Sequence, residues 1–190
     1  MTKLDISHCF NPVGQGLFAS GSISLDRVGG RSYQGVGRGA APTPNPQFRW
    51  VYDCGTSKGK QSLRRSIKRL ANLWNGEKID LLTLSHFHSD HISGVLQLLK
   101  AIEARTLMLP WAPLWQRLAI GFAQGLRADD PLIGFFIDPI TFLSAEVPDR
   151  FQSVLFVMPS TGPGPAYEAE PATDPEPGFD EDGLGKAQDW

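Results

Sequence analysis

Ser85-His86-Phe87-His88-Ser89-Asp90-His91 holds three of the chain's four histidines within six residues. By the chain's own composition, a chance H-x-H-x-D-H is on the order of 10⁻⁴ over the whole length, so the run is not read as an ordinary polar loop. It sits between two apolar segments. Residues 79–85 are a near-continuous apolar run, consistent with a strand buried on both faces. Residues 92–104 carry Val95, Leu98, Leu99 and Ile102 on one face of a helix. His86 and His88, two apart at a strand's end, project to one side in an extended chain. Asp90 and His91 come after the turn. Imidazole nitrogens and a carboxylate are donors that Zn²⁺, Fe or Mn accept, and four such groups can face one ion or two. Asp90 would also suit a helix N-terminus, but capping accounts for one Asp and not for three His.

Outward from this run, strands alternate with helices. Residues 17–25 and 49–53 read as strands, the second ending in the turn Cys54-Gly55-Thr56. Lys60 to Asn75 is the clearest helix, with Leu63, Ile67, Leu70 and Trp74 on one face and Gly76 placed to end it. A short strand is expected over residues 106–109, a helix from Pro113 to about Leu126, and a last strand over 151–158. This order predicts an α/β layered sheet. Trp111, Trp115, Phe122, Phe135, Phe136 and Phe142 are read as core or partner packing, and Cys9 and Cys54 as buried thiols.

At this point the sequence resembles a known family. His86, His88, Asp90 and His91, with Gly94 three residues on, look like the signature of the metallo-β-lactamase fold superfamily. Val51-Tyr52-Asp53-Cys54-Gly55 resembles the strand-ending Asp motif of its nuclease and competence-type branches. Val13-Gly14-Gln15-Gly16 resembles the glycine-rich opening of the competence-type members. The resemblance implies an αββα sandwich with a metal site at one edge of the two sheets. It also implies a hydrolase in which one or two ions, Zn²⁺ first and Fe or Mn next, activate water against an ester, amide or phosphodiester. His86 and His88 would hold the first ion, and Asp90 and His91 the second. Asp90 would also orient the attacking hydroxide, and Asp53 would brace the metal loop. The family usually adds a third His, a bridging Asp and a last His from later in the chain, yet no His follows His91. The second half of the sandwich is therefore expected to be incomplete, with a downstream segment or a partner chain completing the site. His8 is the only spare His, and Asp129, Asp130, Asp138 and Asp149 match no motif. The other reading is a non-catalytic metal-binding or interaction module with a degenerate site.

Composition narrows the rest. A chain of 190 residues is one domain with room for an appendage, and a formal charge of −2 excludes a strongly basic nucleic-acid binder. From Pro159 onward there are eight acidic residues, one basic residue and six of the fifteen prolines. Residues 1–158 are accordingly read as the domain, and 159–190 as a disordered tail or linker. The body is then net basic, which together with the glycine motif leans towards a phosphoester or nucleic-acid substrate over another small molecule. Residues 27–49 hold four Arg and no acid, and are read as a long loop at the rim of the metal cleft. Two Cys exclude a disulfide scaffold. No apolar run reaches the ~18 residues of a membrane span, and no signal peptide is visible, so a cytoplasmic protein is expected.

Overall fold

A computed structural model describes residues 2–27 and 47–158. Most of the arginine-bearing loop (28–46) and the acidic stretch 159–190 lie outside the described residues. The elements run Thr2–Phe10 (β1), Ala19–Arg27 (β2), Gln47–Tyr52 (β3), Lys60–Trp74 (α1), Ile79–Thr83 (β4), Ser89–Ile92 (α2), Val95–Ala101 (α3), Ala104–Pro110 (β5), Leu114–Ala123 (α4), Ile133–Ile137 (α5), Pro139–Glu146 (α6) and Phe151–Val157 (β6). The six strands form one sheet in sequence order. β1, β2 and β3 pair antiparallel, and β3 to β6 pair parallel. Each parallel step needs a crossover, and the helices supply it: α1, then α2 and α3, then α4 to α6.

α1 follows its pattern. Leu63, Ile67, Leu70 and Trp74 are buried, and the chain leaves the helix through Asn75 and Gly76, at φ 45° and 87°. Gly carries the second left-handed residue without a Cβ clash. The helix expected over 92–104 starts earlier, at Ser89, and is broken near Gly94, whose N–H donates to Cys54 O at 2.8 Å.

Three parts differ from expectation. β1 lies before the expected first strand, so His8 is inside a strand and the Val13–Gly16 turn joins β1 to β2. Its apolar alternation (Leu4, Ile6, Phe10) is interrupted by His8, and the strand gains definition only from pairing all nine residues with β2. Cys9, read as buried, is exposed on that strand. The aromatic segment folds into two short helices, α5 and α6. Asp138 caps α6 by accepting from the Ile140 and Thr141 N–H groups, both at 3.1 Å, and the Thr141 bonds hold its carboxyl below the usual range. Phe135 and Phe136 are buried there, while Trp111, Trp115 and Phe122 are exposed.

Strand register divides the sheet into two faces, because directly paired residues share a side. The row Val51, Leu82, Leu107 is buried against the helices. The opposite rows contain Leu4 beside Leu25, and Phe10, Ala19, Tyr52, Thr83, Met108 and Leu155 across all six strands. Of these, Leu4, Phe10, Leu25, Tyr52 and Leu155 are exposed. The αββα sandwich is thus represented, among the described residues, by one helical layer on one sheet. Replacing fully buried Leu107 with Ala is expected to cost about 2–5 kcal/mol. Leu73→Ala, at a side chain 74% exposed, should stay within about 0.5 kcal/mol. Urea midpoints measured on the two variants check the assignment of the helix-packed core.

Candidate metal centre

The site is built around Asp53. β3 ends at Tyr52, but the Asp53 N–H still donates to Thr83 O at 2.8 Å, so the parallel pairing carries one residue beyond the strand. Asp53 then turns with φ 55°, a conformation Asp tolerates better than most residues. Its side chain is 0% exposed. A buried carboxylate is costly unless its oxygens are satisfied, and three donors converge on this one. Ser85 N–H donates to Oδ1 at 2.7 Å, Ser85 Oγ–H to Oδ2 at 2.6 Å, and His91 Nδ1–H to Oδ2 at 2.7 Å.

The backbone around α2 is gripped from two turns. Cys54 N–H donates to His91 O at 2.8 Å, and Leu17 N–H to Asp90 O at 3.0 Å. The approach is too close for a side chain. A Cβ on Gly55 would lie 2.5 Å from the His91 carbonyl carbon, and one on Gly16 2.6 Å from Asp90 O. This is the physical reason for glycine in both the Val13–Gly16 and Cys54-Gly55 turns. From the other side, Gln124 at the end of α4 accepts from Ser89 N–H and donates to Phe87 O at 3.1 Å. Phe87 itself is buried beside Phe135 and Phe136, with ring centroids 5.8 and 6.3 Å away. The residue between the two histidines is thus the anchor of the run.

The hydrogen bonds also assign tautomers. The Ser85 hydroxyl has one proton, and its short bond to a carboxylate is the strong place for it. Its lone pair then accepts from His86 Nδ1–H at 2.8 Å, leaving His86 Nε2 without a proton. Asp53 does the same for His91, whose Nε2 lies 3.6 Å from Asp90 Oδ2. Burial, and then the neighbouring His91 and His88, lower the pKa of His86, which favours the neutral, ligating form.

His86, Asp90 and His91 each offer one donor atom, and these lie within 4.8 Å of one another. Ligands about 2.1 Å from a tetrahedral ion sit about 3.4 Å apart. The 3.6 Å between His91 and Asp90 is already close to that. Donor chemistry, spacing and fixed tautomers fit a divalent cation. His88 is exposed at the start of α2 and falls outside this group, although its ring centroid is 4.8 Å from that of His86. The structure thus brings together His86, Asp90 and His91, where the resemblance pairs His86 with His88. His8 lies on β1 against the Phe10 and Trp50 rings, and Asp138 is used as a cap. Asp129 pairs with Arg127, and Asp130 accepts from Leu132 N–H. Cys54 is buried beside Asp53, and burial first, then that charge, push its thiol far up, away from a ligating thiolate. Ser85 and Gln124 are the working residues the pattern leaves unassigned. Ser85 stands in the motif, yet only the fold brings it to Asp53. Gln124 is more than thirty residues away and carries no local signal.

One protein family's sequence model, that of the metallo-beta-lactamase superfamily, matches residues 48–186. The match begins in β3 and includes the Asp53 turn and the whole His/Asp run. A comparison with curated proteins found no match.

Removing an outer partner of a metal ligand typically costs 10–100-fold in affinity. Ser85→Ala is therefore expected to weaken Zn²⁺ binding by that factor and Ser85→Thr to restore it, in a competition titration with a chromophoric chelator. Asp53→Asn keeps the turn but not the charge, and should weaken binding by at least as much.

Proposed function

The chain belongs to the metallo-β-lactamase superfamily, and from that premise we propose that it is a metal-dependent hydrolase acting on an ester, amide or phosphodiester. The observation that carries this reading is the set His86, Asp90 and His91, with the imidazole protons committed to Ser85 and Asp53 and the Nε2 atoms left open. His86, Asp90 and His91 would hold one cation, with His88 beside them as a donor to the same or a second ion. Zn²⁺ suits nitrogen and carboxylate donors best, with Fe or Mn next. A bound divalent cation supplies Lewis acidity, polarising the substrate's oxygen and making water a nucleophile near neutral pH. The protein's part is geometric. Asp53 holds His91 in one tautomer and one orientation, and Ser85 does so for His86. Asp90, partly exposed, has the reach to accept a proton from an attacking water. The backbone bonds from Leu17 and Cys54 fix α2, so that these groups keep their positions through turnover. The fold family hosts several hydrolytic chemistries, so it does not choose a substrate. The net basic body favours a phosphoester, nucleic acid included.

Three donors are the minimum of a catalytic site, and among the described residues only His88, just outside the group, is on hand to add to them. We propose that a second layer on the exposed sheet face, from residues outside the described ones or from a partner chain, supplies the remaining ligands. A second reading, a metal-holding module without turnover, rests on the same three-donor count. Among the described residues, no helix is long and apolar enough to cross a membrane.

Two outcomes are expected. Zn²⁺-loaded chain should hydrolyse an activated phosphodiester or thioester slowly, at a rate lost on chelation and in Asp90→Ala and His91→Ala. Metal uptake with no hydrolysis would establish the non-catalytic module, and hydrolysis indifferent to Asp90 would remove Asp90 from the role given to it here. Zn²⁺ affinity should fall on acidification, as protons compete with the ion for His86. Because the pKa of His86 is lowered, its proton must be displaced only at the acid end. Affinity measured across pH 5–8 checks this.

A further inference from the structure

We propose that the helical layer holds a second ligand site, distinct from the metal donors, for a single-chain amphipathic anion: an aliphatic tail with a carboxylate head. A cavity of about 350 Å³ lies among α1, α2, α3 and the α4–α6 segment. Its body is lined by apolar side chains, Leu63, Val95, Leu126, Phe135, Phe136 and Leu143 among them. No carboxylate lines it; its two charged residues are Lys60 and Arg64, four apart and therefore neighbours on the surface of α1. Both are exposed, and neither makes an ion pair among the described residues. α1 contains no acidic residue, so nothing on the helix compensates the charge at this mouth.

Size and rigidity agree with this assignment. Small-molecule sites begin at about 300 Å³ and pair apolar walls with a few polar groups. A tail of about ten carbons, at interior packing density, needs somewhat under 300 Å³. The walls are held apart by bonds already committed elsewhere. Gln124 cannot fold inwards because its amide spans Phe87 O and Ser89 N–H. Arg117 pins α4 to α5 by donating to Phe136 O at 2.8 Å, and to Ala112 O and Ile137 O at 2.7 Å. Ser89, Ile92 and Ser93 form one wall, so the site backs onto the helix that carries Asp90 and His91.

The test is a titration of the isotope-labelled full chain with sodium decanoate, n-decanol and sodium acetate at fixed ionic strength, followed by amide chemical shifts. Decanoate is expected to shift residues around Leu63, Gln97 and Leu132, and acetate to shift none of them. The Lys60→Ala/Arg64→Ala double variant, changed only at exposed positions of α1, should bind decanoate at least tenfold more weakly and decanol within twofold of the parent. Leu132→Trp, at the exposed rim, should lose both. Equal decanoate affinity in the double variant would overturn the anion site. So would shifts confined to the exposed sheet face around Leu4 and Phe10, or no binding at millimolar decanoate.

Discussion

A carboxylate with no exposed surface must be surrounded by donors, and around Asp53 the donors come from two other parts of the chain. The Ser85 groups follow β4 and His91 belongs to α2, while the Asp53 N–H itself extends β3 by donating to Thr83 O. Satisfying one buried charge therefore joins the ends of two parallel strands to the first turn after them. Oδ1 depends on the Ser85 N–H alone, and leaving it without a donor would cost on the order of 1–3 kcal/mol or more for a charged group, whereas Oδ2 keeps one donor if either Ser85 Oγ or His91 is lost. The same bonds that stabilise the fold here fix imidazole protons at Nδ1. Stability and metal readiness are thus one arrangement at this point of the molecule.

What was legible in the sequence followed from local periodicity and from residues close together in the chain. Leu63, Ile67, Leu70 and Trp74 marked α1 because a helix repeats its contacts every three or four residues. The apolar run before Ser85 marked a strand, read as buried on both faces; Ile79 and Leu82 are buried, while Asp80, Leu81 and Thr83 are only half-buried. Of the four residues the run offered, His86, Asp90 and His91 come together as one group of donors. What escaped depends on distant partners. β1 has a weak pattern of its own and exists through β2. Cys9, judged by residue type, was expected inside, yet it stands on a strand exposed along its length. The two-and-two division of ligands came from the resemblance and not from spacing; the structure groups His86, Asp90 and His91, with the His88 ring centroid 4.8 Å from that of His86.

The turn also explains why glycines far apart in sequence act together. Gly16 and Gly55 let two backbones press against the carbonyls of Asp90 and His91. With those carbonyls held by Leu17 and Cys54, α2 needs few side-chain contacts of its own, and none of its four residues is buried. A short, half-buried helix with a fixed backbone keeps Asp90 and His91 in place without full burial of their polar atoms.

The exposed sheet face and the three-donor count are linked by position. The apolar row that crosses all six strands passes through Tyr52 and Thr83, one residue before Asp53 and two before Ser85. Its upper edge is therefore the edge of the metal site. Phe10 at 70% exposure and Tyr52 at 41% lie on that row, and apolar surface of this extent is normally covered. A layer covering this row would reach the strand ends that carry Asp53 and Ser85. The polar side of the β1–β2 hairpin supports this direction: Ser7 and Ser22 face away from that row and bond to each other, Oγ to Oγ at 2.8 Å. The hairpin turns its apolar side, with Leu4, Ile6 and Phe10, away from the helices, which already have a core of their own.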